Sequence, residues 1–212
     1  MNQLSPDVLS IVVSVLIVLL SLTVHEAAHA WTADRLGDPT ARMLGRISFN
    51  PIVHIDPIGT VLLPLIAAFS NLPIIGWAKP VPVDLRRLRH GRRDFAVVAA
   101  AGPASNLLQA VVLAVLFHAL PLDGITLFNL NWPNVVRRAA DINVLLALFN
   151  LLPVPPLDGG NVLAGVLPPS AAHAFDRMRP FGIIILYALL LTGVLGSLIL
   201  PPADFFMEML GL

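Results

Sequence analysis

His25-Glu26-Ala27-Ala28-His29 stands near the end of the first apolar run, and its reading decides how the rest of the chain is placed. On a helix, positions i and i+4 share a face, so both imidazoles can point at one ion while Glu26, one residue round, borders the same site. Two neutral imidazole nitrogens beside a carboxylate suit zinc. The setting is unusual: Val8 to Val24 form an unbroken uncharged run leading into the motif, and Ala27, Ala28, Ala30 and Trp31 continue it. The histidine pair therefore lies in a segment of membrane length. A chance match, or a polar cluster that only joins helices, is the alternative. Ionisable groups in hydrocarbon cost at least ~2.5 kcal/mol each on insertion scales and are functional by default, which favours the metal.

Composition narrows the class. Of the 212 residues 57% are hydrophobic and 12% charged, and the mean hydropathy is +0.82. These values exclude an ordinary soluble domain and indicate one integral membrane domain over residues 1–212. Cysteine is absent, so any metal must take nitrogen and oxygen ligands. A formal net charge of zero removes the global electrostatic reason to bind nucleic acid. A cleaved signal peptide is not expected: Ala28-His29-Ala30 offers small-x-small, but no Lys or Arg precedes the run, and cleavage would divide the motif.

The predicted architecture is all-α and polytopic, with about four spanning helices, a re-entrant segment and short extended strands near the active site. The first span covers about 7–36, with Gly37 as its stop. Further spans are expected at 94–120, at 139–167 with a break at 153–156, and at 180–200. Segment 58–77 is apolar but interrupted by Pro64, Pro73 and Gly76; it either spans or re-enters. The alternating pattern of Arg46 to Asn50 and the alternate prolines around Lys79 to Val83 read as extended chain. Small residues from Ala99 to Ser105 suit close packing on the first helix.

A catalytic zinc needs a third protein ligand and an open position. Most carboxylates lie at segment ends or in loops. Asp158 instead sits in an apolar, proline-broken stretch, followed by two glycines that permit close backbone approach. Pro-x-x-Asp-Gly is also a good turn sequence, and alone it would be read so; paired with the first motif, the ligand reading is better. Depth gives a second argument. His25 and His29 lie toward the face where Asp34 and Arg35 emerge, so the helix carrying Asp158 must run toward that face too. Only an odd number of crossings between the two achieves this, which favours re-entrance for 58–77. That topology puts every Lys and Arg on the same face except Arg137 and Arg138, out of 13. The positive-inside rule then makes it cytoplasmic.

The first motif, together with Asn150-Leu151-Leu152-Pro153-Val154-Pro155-Pro156-Leu157-Asp158-Gly159, closely resembles the two signatures of the site-2 proteases, which are intramembrane zinc metalloproteases. The likeness extends to 54–60, 76–82 and 101–106, and is to the compact prokaryotic branch without PDZ or CBS domains. It implies that His25, His29 and Asp158 bind zinc and that Glu26 activates water. It also implies that Asn150 positions substrate or steadies the oxyanion. The implied partners are the lipid bilayer and a transmembrane protein or peptide substrate in a prokaryotic cell membrane. Selection is expected to rest on the substrate helix or on an adaptor, and no oligomeric partner is identified. His54 either donates to the tetrahedral intermediate or ties a loop to backbone. The rivals are a metal transporter, which predicts ligands reaching both faces, and a non-catalytic scaffold, which could readily have lost Glu26.

Overall fold

The computed structural model describes residues 6–63, 66, 76–120, 125–127 and 130–212. Helix α1, Pro6–Arg35, opens on proline and runs through the uncharged stretch with no glycine inside it. It stops where Gly37 adopts φ +112. There the Asp38 N–H bonds to the Ala33 carbonyl at 2.9 Å and the Gly37 N–H to that of Asp34 at 3.2 Å, the paired bonds of a Schellman ending. The short helix α2, Thr40–Met43, follows. Asp38 is fully buried, and its carboxylate is satisfied by the Thr40 N–H (3.0 Å), the Thr40 hydroxyl (2.5 Å) and the Asp84 N–H (2.7 Å). Residue 84 is thereby tied to the end of α1.

A 3-10 turn at Pro51–His54 leads to a π-type turn at Pro57–Leu62. The Trp77 N–H then bonds to the Gly59 carbonyl at 3.3 Å, the Lys79 N–H to the His54 carbonyl at 2.9 Å, and the Thr60 hydroxyl to the Trp77 carbonyl at 2.8 Å. The two ends of segment 58–77 are thus joined to each other; its residues 64, 65 and 67–75 lie outside those described. The strands expected at Arg46 to Asn50 and Lys79 to Val83 require correction. Both stretches are free of helix, yet neither forms a ladder. Pro80 and Pro82 lack the donors a ladder needs, and the Lys79 carbonyl is taken by the Arg46 guanidinium instead of a neighbouring strand.

Helix α3, Arg92–Ala119, matches the expected second span to within two residues. Among the described residues, strands are confined to a two-residue antiparallel pair, β1 (Thr126–Leu127) with β2 (Leu130–Asn131). Helix α4, Trp132–Asn150, starts earlier than the expected 139 because Asn131 accepts from the Asn134 N–H at 3.1 Å and Pro133 occupies the opening turn. Arg137 and Arg138, read as loop residues, are therefore helical, and Arg138 donates to Ser10 (2.6 Å) and Ser14 (3.1 Å) of α1. After a turn through 151–157, α5 covers Asp158–Val166 and α6 covers Pro169–Asp176.

The expected 180–200 span is also corrected. Helix α7, Gly182–Leu191, ends at Gly193, whose φ of +76 interrupts the helix, and α8 runs Val194–Met209. The α6–α7 stretch and α8 meet at 75°. What reads as a tail after Leu200 is helix, and it is core: Ala203 and Met207 pack with Ala110 of α3 and with Ala140 and Val144 of α4. By length and composition, two helices among the described residues can cross a membrane, Leu9–Arg35 and Arg92–Ala119, or three if the bent pair is one broken span. That is fewer than the four expected. Helix α4 carries Arg137, Arg138 and Asp141 and is not among them.

Side-chain bonds fix the directions. His25 meets Asn106 and His29 meets Val98, so α3 runs antiparallel to α1. Arg138 meets Ser10 and Ser14, and Asn143 meets Ser21, so α4 runs parallel to α1. The turn after α4 consequently returns Asp158 to the level of the two histidines.

Candidate metal centre

His25 and His29 stand one turn apart on the buried face of α1, with rings edge-to-face at 4.6 Å. Their Nε2 atoms are 3.0 Å apart. Asp158, the first residue of α5, sets Oδ2 3.1 Å from His25 Nε2 and 3.3 Å from His29 Nε2. A tetrahedral zinc with nitrogen and oxygen ligands at ~2.0–2.1 Å has ligand atoms ~3.3 Å from one another. The trio already sits at that spacing, so these residues fit the metal.

The far side of each ring is fixed as well. His29 Nδ1 lies 2.7 Å from the Val98 carbonyl, and His25 Nδ1 lies 2.5 Å from Asn106 Oδ1. A carbonyl oxygen only accepts, so Nδ1 carries the hydrogen on both rings and the Nε2 lone pairs face Asp158. Room for the rings comes from Gly102 on α3. A Cβ there would stand 2.3 Å from His29 Nε2 and 2.5 Å from His25 Nε2. Asp158 depends on glycine in the same way, since a Cβ on Gly159 would fall 2.1 Å from the Leu151 carbonyl oxygen. Glycine lets α5 fold back onto the end of α4.

Glu26 is buried in the same turn of α1. Its carboxylate acts on Arg46, a buried side chain from the loop after α2. Burial pushes the Arg46 guanidinium below its ordinary value, and Glu26 opposes that push. The Arg46 guanidinium bonds to the Lys79 carbonyl, while the Lys79 N–H is used by His54. Both backbone groups of Lys79 are therefore engaged, and the free strand edge expected there is closed at that residue.

Two expected site residues are not drawn into the trio. His54 is buried, but its Nε2 bonds to the Ser48 carbonyl at 2.9 Å and its Nδ1 has no hydrogen-bond partner among the described residues. The loop-tying role is the one its geometry displays. Asn150, the last residue of α4, donates back to the Leu146 carbonyl at 2.9 Å. The small-residue stretch from Ala99 to Asn106 does pack on α1, as expected, with Gly102 and Asn106 against the histidine rings, but neither was read as a site residue, and Asn143 and Ser21 were not singled out. Asn106 and Asn143, polar residues within apolar helices, were the available signal.

A histidine pair closed by an aspartate, packed between helices of which α1 and α3 are long and apolar enough to cross a membrane, is a group that could hold a metal ion. Residues 123–193 match the model of Peptidase family M50. The chain is 38% identical over 191 residues to "Putative zinc metalloprotease YwhC" of Bacillus subtilis, covering 89% of this chain and 84% of that relative. It is 33% identical over 179 residues to Rip2 of Mycolicibacterium smegmatis and 30% identical over 182 residues to Rip2 of Mycobacterium tuberculosis, which bear the same description. In both cases the alignment covers 84% of this chain and 66% of the relative. No solved structure matches the chain. The chain belongs to peptidase family M50, the site-2-protease type of intramembrane zinc metalloprotease.

Proposed function

We propose that this protein is a zinc metalloendopeptidase that hydrolyses a peptide bond within or beside a transmembrane segment of another membrane protein. His25, His29 and Asp158 are the proposed zinc ligands. The observation that carries this reading is their three ligand atoms, 3.0 to 3.3 Å apart, beneath a glycine that keeps the space open. Zinc in such a site supplies Lewis acidity, which makes water nucleophilic near neutral pH and polarises a scissile carbonyl. Glu26 takes the proton of the attacking water and passes it to the leaving amine nitrogen. Asn150 is proposed to contact substrate, which requires it to release Leu146. A transporter reading gains no support, because the trio stands alone as a candidate ligand group among the described residues.

Metal analysis by mass spectrometry tests the assignment. Detergent-purified wild type should hold near-stoichiometric zinc, and both His25→Ala and Asp158→Ala should lose it. Loss in His25→Ala alone would return Asp158 to the role of a turn residue.

For topology, we propose that 58–77 re-enters and that the face bearing Arg35 is cytoplasmic, with the site nearer that face. Support comes from the bonds joining residues 54–60 to 77–79, and from the parallel course of α1 and α4 with α3 between them. The Arg92–Asp176 ion pair, 2.5 Å, draws Arg177 and Arg179 toward the same end. The native chain has no cysteine. Single cysteines at Arg89 and Asn131 should therefore be labelled from opposite sides of the membrane, and labelling of both from one side would sink this arrangement.

A further inference from the structure

Beneath His25, three helices are joined by side chains alone. Asn106 Nδ2 of α3 donates to Asn143 Oδ1 of α4 at 2.9 Å. Asn143 Nδ2 donates to Ser21 Oγ of α1 at 2.9 Å and to the Ala139 carbonyl at 2.9 Å. Asn106 is fully buried and Asn143 is 2% exposed, so an amide turned the wrong way would leave unpaired groups away from water.

The direction of this chain is not free. The Ala139 carbonyl can only accept, so Asn143 must present Nδ2 to it and Oδ1 to the other side. That oxygen can only accept, so Asn106 must present Nδ2 to Asn143 and Oδ1 to His25. His25 must then carry its hydrogen on Nδ1, which leaves the Nε2 lone pair bare toward His29 and Asp158. We infer that Asn143 is a positioning residue. It acts through Asn106 to hold His25 in the neutral tautomer whose Nε2, the atom facing His29 and Asp158, is free to ligate a metal, with the polarity set by the Ala139 carbonyl. This rests on His25 being a zinc ligand. Without Asn143 the Asn106 amide can rotate and offer Nδ2 to the imidazole. The hydrogen then moves to Nε2, where it blocks the ion.

Zinc affinity of the full chain in detergent, measured by chelator competition, tests the inference. Asn143→Leu should weaken zinc by ~10–100-fold, the usual cost of losing such an outer partner. Adding Asn106→Asp should restore it, because both carboxylate oxygens accept and orientation no longer matters; a mere packing role for Asn143 predicts no such rescue. Ser21→Ala should weaken zinc less than Asn143→Leu, since the Ala139 carbonyl alone fixes the direction. Unchanged affinity in Asn143→Leu, or a double variant as weak as Asn143→Leu, would overturn the inference. Nitrogen-15 NMR of the zinc-loaded wild type should find the His25 hydrogen on Nδ1 and the metal on Nε2; the reverse arrangement would overturn the inference whatever the variants do. A wild type that never holds zinc would overturn the metal reading first, and this inference with it.

Discussion

Gly102→Ala should leave the protein folded and without metal. The added Cβ would stand 2.3 and 2.5 Å from the two Nε2 atoms, where carbon normally keeps ~3.5–4.0 Å from a non-bonded neighbour. Helix α3 cannot simply withdraw, because His29 bonds to the Val98 carbonyl and His25 to Asn106 on either side of the glycine. The rings must turn away instead, and with them the lone pairs. Circular dichroism should show wild-type helicity while zinc content falls to background. Gly196→Ala is the control: its Cβ would meet only Leu200 Cδ1 at 3.8 Å, an ordinary contact, and zinc should be retained. Stoichiometric zinc in Gly102→Ala would show that the ion does not sit between these rings.

Glu26→Gln should do the opposite, keeping zinc while proteolysis falls by ~10²–10⁴-fold, the usual contribution of a positioned proton-transfer group. Glutamine preserves the size of the side chain and cannot take up the proton. The carboxylate is not one of the three ligand atoms, so metal content should match wild type in the same preparations that have lost cleavage of a membrane-protein substrate. Cleavage at the wild-type rate would remove Glu26 from the mechanism. Loss of zinc would instead make it a ligand.

What the sequence could show follows from what kind of interaction each feature uses. The histidine pair and the stop at Gly37 are local: helical spacing and one residue with positive φ determine them. Asp158 needed the second motif and a count of crossings, since its own tetrapeptide is also an ordinary turn. The break at Gly193 was not legible, because glycine is tolerated within apolar helices and only the φ of +76 marks the bend. The start of α4 was missed because Arg137 and Arg138 look like loop residues; their helical setting depends on serines of α1 far away in sequence. The same applies to Asn143, whose purpose is visible only once Asn106 and Ala139 stand beside it.

The bonds between Gly59 and Trp77, and between His54 and Lys79, give residues 61–76 a common departure and return point. On the re-entrant course proposed above for 58–77, a change in its length does not invert the helices that come after it. An affinity tag or reporter placed near residue 70 should therefore leave α3 and α4 pointing as before, whereas an insertion after Gly91 would displace Val98 and Gly102 relative to the histidines. The clasp holds the two ends of that stretch together while α1 and α3 keep the register that sets Val98 and Gly102 against the histidines.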